Sequence, residues 1–129
     1  MIAALHHIGM TVSDLGRAAT FLHNLFGFVS IAASLPETPL TGRGARAVLL
    51  RAPNCFIELV ETAATVAVKR PVNEAGITHI SIQSRHIDAL YERALGAGAR
   101  PHAPPIALGT GFVYLYLRDA QHNVIEIEG

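Results

Sequence analysis

Four residues in this chain have the types and spacing to hold a divalent metal. His7 stands in Leu5-His6-His7-Ile8-Gly9-Met10-Thr11-Val12, and Glu58 follows 51 positions later in Asn54-Cys55-Phe56-Ile57-Glu58-Leu59-Val60. His79 stands in Gly76-Ile77-Thr78-His79-Ile80-Ser81-Ile82-Gln83, and Glu126 follows 47 positions later in Asn123-Val124-Ile125-Glu126-Ile127-Glu128. Imidazole nitrogens and carboxylate oxygens are donors of intermediate hardness, which suits Zn, Ni, Co, Fe or Mn better than Ca or a thiolate-loving metal. The carboxylates would cancel the ion's charge, and coordination positions left for water or substrate mark a catalytic site. A Lewis acid flanked by Glu58 and Glu126 suits the stabilisation of an enolate or enediolate while a carboxylate moves the proton. One His or Glu beside an apolar strand residue is usually an edge polar group or a satisfied core residue. Four in matching places are a ligand set.

The elements that must position these residues also come twice. An offset of 72 places His7 on His79, Leu15 on Ile87, Ala18 on Leu90 and Leu22 on Ala94, so a strand runs into a helix of the same phase in each half. The alternation predicts strands over 5–12, 28–34, 45–51 and 55–61, with a helix from about 14 to 26. Ser13 is the expected N-cap and Gly27 the C-terminal cap. A loop is expected over 36–44. After a connection over 62–75, the second half predicts a strand at 77–83 and a helix from about 86 to 95. Pro101, Pro104 and Pro105 suit only a short or edge-like strand. A closing hairpin over 112–118 and 123–128 follows. Each module is βαβββ, and the fold class is α+β: two tandem modules forming a cupped mixed sheet with helices on the outer face.

Strand parity then sorts the ligands, because alternate residues share a face. Ile8, Met10 and Val12 suit packing under the helix, which leaves His7, Gly9 and Thr11 opposite. Ile80 and Ile82 leave His79, Ser81 and Gln83 opposite; Ile57 and Leu59 leave Glu58, and Ile125 and Ile127 leave Glu126. All four candidates fall on faces turned from the helices. Phe112, Tyr114 and Tyr116 share the inward parity of the seventh strand and suit a pocket wall. Arg51 and Arg118 occupy matching strand ends; either could hold a substrate carboxylate, but a solvated strand end is the expected account. His6 has helix-facing parity and suits a structural role, His23 sits off the apolar stripe, and His86, His102 and His122 suit the surface.

Composition narrows the class. The 129 residues are one domain by length, half are hydrophobic, and the net charge is zero, which excludes disorder and gives no sign of nucleic-acid binding. The apolar runs are too short to span a membrane, and Met1-Ile2-Ala3-Ala4-Leu5 lacks the basic start and long apolar stretch of a signal peptide. Cys55 is the only cysteine; its alternation with Ile57 and Leu59 suits a buried thiol in a reducing cytoplasm. A small metabolite is the expected partner.

These residues resemble the vicinal oxygen chelate superfamily, which includes glyoxalase I, methylmalonyl-CoA epimerase, extradiol dioxygenases and the fosfomycin and bleomycin resistance proteins. The resemblance is carried by the stretch from His7 to Leu15, by Ile57-Glu58-Leu59, by Gly76-Ile77-Thr78-His79-Ile80, and by Leu117-Arg118-Asp119 leading to Asn123-Val124-Ile125-Glu126-Ile127. It covers essentially the whole chain, as one domain with modules over about 5–61 and 76–128. It implies a cup around one divalent metal with His7, Glu58, His79 and Glu126 as ligands. Two departures stand out. The family's Asp-Pro-Asp-Gly-Asn turn is Asp119-Ala120-Gln121-His122-Asn123 here. Glutathione-using relatives carry an Arg and an Asn where this chain has Thr11 and Thr62, and a Thr hydroxyl cannot replace a guanidinium's charge and two-pronged reach.

The leading expectation is therefore a metal-dependent lyase or isomerase, glyoxalase-like or epimerase-like, that transfers a proton next to a carbonyl without a glutathione grip. A ring-cleaving oxygenase would need iron on His7, His79 and Glu126, and Glu58 would crowd it. A resistance protein that only sequesters a ligand would not need the full set. The resemblance also implies a two-fold homodimer with two equivalent metal sites; in its swapped version His7 and Glu58 from one chain meet His79 and Glu126 from the other, and the alternative is a monomer whose two modules close on each other.

Overall fold

The computed structural model describes residues 1–33 and 44–129, so the expected loop over 36–44, apart from Gly44, and the end of the second strand lie outside the described residues. The chain divides into two compact units, residues 1–67 and 68–129, and the boundary falls inside the expected connection. Each unit is a four-stranded mixed sheet with one helix, in the order βαβββ.

The first unit contains β1 (His7–Thr11), α1 (Leu15–Phe26), β2 (Val29–Ala33), β3 (Arg46–Arg51) and β4 (Phe56–Glu61). Its strand order is β1-β4-β3-β2, with β1 parallel to β4 and the remaining pairs antiparallel. The helix forms where the spacing places Ala18, Leu22 and Leu25 on one buried stripe. It packs against β3 and β4, whose Leu50, Ile57 and Leu59 are buried. Asp14, rather than Ser13, is the N-cap, and its Oδ1 accepts from the Arg17 amide at 2.9 Å. Glu61 supplies a second acceptor from the end of β4: its Oε2 takes the Leu15 N–H at 2.6 Å while Arg46 Nη2 donates to Oε1 at 2.6 Å. Two of the helix's otherwise unpaired first-turn donors are thus satisfied. Gly27 closes the helix in the left-handed region, at φ 70°, and its N–H reaches the His23 carbonyl.

The second unit contains β5 (His79–Gln83), α2 (Ile87–Gly96), β6 (Arg100–Ala107), β7 (Val113–Arg118) and β8 (Val124–Glu128). The order is β5-β8-β7-β6, with β5 parallel to β8. Ile80, Leu115, Leu117, Val124, Ile125 and Ile127 form the core. Of the stripe on α2 only Ala94 is fully buried; Ile87, Leu90 and Tyr91 are half-buried. The edge position expected for the proline-bearing strand is observed, but β6 is eight residues long rather than short. Its pairing with β7 slips twice, between Pro101 and Ala103 and between Ala103 and Ile106. Those irregularities absorb residues that cannot donate to a ladder, and so the strand continues.

Candidate metal centre

Strand pairing brings the expected ligands together two at a time. In the first unit β1 and β4 run parallel with Gly9 beside Glu58, so His7, two residues earlier on the same face, lies diagonal to the carboxylate. His7 Nε2 is 3.8 Å from Glu58 Oε2. The second unit repeats the arrangement with Ser81 beside Glu126, and His79 Nε2 is 3.3 Å from Glu126 Oε2. In both units the residue beside the carboxylate is Gly or Ser, which leaves the face between His and Glu uncrowded. The faces of β1 and β5 that carry the histidines are exposed and Glu58 and Glu126 are half-buried, while Ile57, Leu59, Ile80, Ile125 and Ile127 are buried.

The other nitrogen of each imidazole is engaged as well. His79 Nδ1 lies 2.8 Å from Thr78 Oγ1, and His7 Nδ1 lies 2.9 Å from His6 Nδ1. If Nδ1 of His7 and of His79 carries the proton, each Nε2 keeps a free lone pair directed toward its glutamate. A partner on the second ring nitrogen is the usual way a ligating histidine is oriented. His6 and Thr78 occupy equivalent positions at the offset of 72. Sequence parity missed both, because neither belongs to a strand: each stands just before one, and His6 is exposed rather than structural. The usable signal was adjacency to the histidine.

The two pairs differ in what lies across the hairpin. Glu58 faces Leu49 on β3, whereas Glu126 faces Tyr116 on β7. The Tyr116 hydroxyl hydrogen-bonds Glu126, and that carboxylate, together with burial, pushes the phenol's pKa above its ordinary value. Its ring meets His79 edge to face at 5.8 Å and Tyr114 at 5.9 Å. Glu126 is accordingly more covered than Glu58, with 14% against 26% of its side chain exposed. Tyr114 and Tyr116 both lie on the face of Glu126, while Phe112 lies just ahead of β7 and is half-buried. Thr11 is exposed at the end of β1, on the face of His7. Thr62 is engaged locally with Thr65, through its amide at 3.0 Å and its hydroxyl at 2.9 Å.

Each unit therefore presents one imidazole nitrogen and one carboxylate oxygen. Donors about 2.1 Å from a common ion stand about 3.0–3.4 Å apart at ordinary coordination angles, so the separations of 3.3 and 3.8 Å are close to that span. The donor types fit a divalent transition metal. Among the described residues no group of three or more His, Cys, Asp or Glu comes together.

The family model for the glyoxalase/bleomycin resistance protein/dioxygenase superfamily matches residues 4–127. The chain belongs to this superfamily. Solved structures of the same fold include a glyoxalase family protein from Bacillus cereus, 19% identical, with TM-score 0.85 over 99% of this chain and 94% of that one. A glyoxylase/bleomycin resistance protein/dioxygenase domain from Frankia sp. EAN1pec is 21% identical, with TM-score 0.78 over 99% of this chain and 98% of that one. The fosfomycin resistance protein FosX from Listeria monocytogenes is 21% identical, with TM-score 0.76 over 100% of this chain and 92% of that one. No curated protein matches the sequence. Among the described residues no helix is long and apolar enough to cross a membrane.

Outside the pairs, three expectations change. Arg118 is buried rather than solvated, at 7% exposure, because its guanidinium folds back on three acceptors of its own unit. Cys55 is half-buried rather than fully buried, since it stands in the turn before β4 and its carbonyl accepts from the Ala52 amide. The departure from the family's turn is accommodated by Asp119. Its Oδ1 accepts from the Gln121 and Asn123 amides at 2.8 and 2.9 Å, and its Oδ2 from Asn123 Nδ2 at 3.2 Å. His122 takes the left-handed position, at φ 63°, without being glycine. Burial pushes the Asp119 carboxyl up, and these hydrogen bonds act against the shift.

Proposed function

We propose that His7, Glu58, His79 and Glu126 together hold one divalent ion, Zn, Ni, Co, Fe or Mn, and that the protein is a metal-dependent lyase or isomerase. The observation that carries the reading is the recurrence of one His Nε2–Glu Oε2 pair, at 3.8 and 3.3 Å, in both modules. A metal in this fold has precedent in FosX, which was solved complexed with Mn(II) and sulfate. When bound, the ion would act as a Lewis acid toward a substrate oxygen. The protein's own contribution is proton transfer. Glu58 or Glu126 takes a proton from the carbon next to a carbonyl and returns it to that carbon or its neighbour, which leaves charge and atoms balanced. Tyr116, Tyr114, Phe112 and Thr11 form the walls that hold the small metabolite. Thr62, already bonded to Thr65, and Thr11 offer no cation, so the reading excludes a glutathione grip of the kind an Arg provides.

Because each unit supplies half of the ligands, the two modules act as one functional domain. In the swapped version of the reading, two chains form a two-fold homodimer with two equivalent sites, the commonest closed symmetry. A mixed-variant experiment tests the ligand set and the assembly together. A His7→Ala, Glu58→Ala chain and a His79→Ala, Glu126→Ala chain should each lose metal by elemental analysis. Their heterodimer should regain one intact site and the corresponding fraction of turnover. Unchanged metal content in both variant homodimers would refute the ligand set. Metal lost from both and not regained in proven heterodimers would refute only the shared site.

A further inference from the structure

The second unit buries a positive charge that the proposed reaction does not use. Arg118 is 7% exposed, and its guanidinium donates through Nε to His102 Nδ1 at 3.1 Å, through Nη1 to the His122 carbonyl at 2.8 Å, and through Nη2 to the Arg70 carbonyl at 3.2 Å. All three acceptors are neutral, since His102 Nδ1 accepts only in the uncharged ring. A guanidinium carries five N–H donors, so two remain. Among the described residues no carboxylate lies within ion-pair distance of it. A buried charge without a counter-charge is costly even when its hydrogen bonds are made.

Arg118 also lines a cavity of about 80 Å³ in the same unit, together with Arg70, Val72, Glu74, Thr78 and His122. An enclosed water occupies roughly 10–15 Å³ by this kind of measure, so the space admits several waters or one small oxyanion. The charges on the lining do not balance. Glu74 is its one carboxylate, and Arg70 Nε holds it at 3.5 Å, which leaves the Arg118 charge unmatched. A planar guanidinium with spare donors is shaped for the paired oxygens of a carboxylate or phosphate.

We infer that this cavity binds a small oxyanion, through Arg118 with Arg70 and the Thr78 hydroxyl, at a site separate from the His/Glu pairs. Thr78 also bonds His79 Nδ1, so the anion sits one side chain from a candidate ligand. The inference does not depend on the metal: chelator-stripped protein should bind the anion equally well.

The test titrates metal-free protein with inorganic phosphate and, separately, with acetate, at ionic strength held constant with chloride. Amide chemical shifts are followed at Thr78, His122, Asn123 and Val124. Saturable shifts at these residues are expected for one anion; phosphate saturation alone assigns a phosphate group, and acetate saturation alone a carboxylate. Arg70→Gln changes an exposed side chain and leaves the Arg70 carbonyl in place, and it should weaken binding about tenfold, the scale of one charge-assisted contact. Val72 is half exposed, and Val72→Asp places a carboxylate in the cavity. That variant should lose saturable binding and melt higher than the parent in anion-free buffer. Shifts no larger than those from chloride, or full affinity retained in both variants, would overturn the inference.

Discussion

Thr78→Val isolates the contribution of one hydrogen bond to the proposed metal centre. The Thr78 hydroxyl lies 2.8 Å from His79 Nδ1, and valine keeps the side chain's shape while removing the acceptor. A net hydrogen bond is worth about 0.5–1.5 kcal/mol, which at 1.4 kcal/mol per decade is about 2- to 12-fold in an equilibrium constant. Outer-shell partners of ligating histidines cost roughly 10- to 100-fold when removed. Here both residues are exposed, so water can replace the lost partner, and the lower range applies. We expect Mn or Zn affinity to fall about fivefold in Thr78→Val and to be restored in Thr78→Ser. The assay is calorimetric titration of chelator-stripped protein, with the melting curve as a check that the fold is unchanged. An affinity within about 1.5-fold of the parent would mean that Thr78 does not orient the histidine. Equal losses in Ser and Val would show that the methyl, not the hydroxyl, matters.

His122→Gly should stabilise the second unit by about 0.5–1 kcal/mol, because φ 63° strains a side-chain-bearing residue and the His122 carbonyl remains available to Arg118; a urea midpoint that falls would show that the imidazole is needed. Stability should also depend on pH with opposite signs at two carboxyls. The Leu15 amide and the Arg46 guanidinium hold Glu61 below the ordinary 4.5, so its contribution is present above that value and lost as pH falls through the lowered pKa. The advantage of the parent over Glu61→Gln should therefore close in acid. Asp119 is raised by burial from 3.8, so its contribution is full below 3.8 and lost as pH rises through the raised pKa. Asp119→Asn should gain on the parent across that window. Denaturant melts at several pH values check both slopes.

Most of the fold was legible because it rests on periodicity that repeats. The helix stripe of Ala18, Leu22 and Leu25, the two strand parities and the offset of 72 all recur in the observed elements. The N-cap was not, because Ser13 and Asp14 both have capping chemistry, and the choice depends on which carbonyl starts the helix. The length of β6 was not legible either: three prolines argue locally against a strand, and only pairing with β7, slipped at two places, lets it run on. At the candidate site, parity placed each His on the same face as the Glu it meets in its own unit. It could not show what bonds the second imidazole nitrogen, since His6 and Thr78 lie outside the alternation.

Two features needed the third dimension, and they are the ones in which the modules stop being copies. Strand parity gives a residue's face but not its neighbour across a hairpin, so the contrast between Leu49 beside Glu58 and Tyr116 beside Glu126 stays hidden until the register is known. That contrast gives the two carboxylates different surroundings. Glu126 accepts a hydrogen bond from a phenol and is the more covered; Glu58 has an aliphatic neighbour and freer access to water. Arg118 was hidden for a related reason. As the last residue of β7 it has the sequence context of a solvated strand end, and it occupies the place of Arg51, which is exposed in the first unit. What buries it is the backbone of Arg70, 48 positions earlier, folding over the strand end to accept from Nη2. A repeat predicts where corresponding backbone goes, but it cannot predict which stretch of chain will cover one copy and leave the other bare.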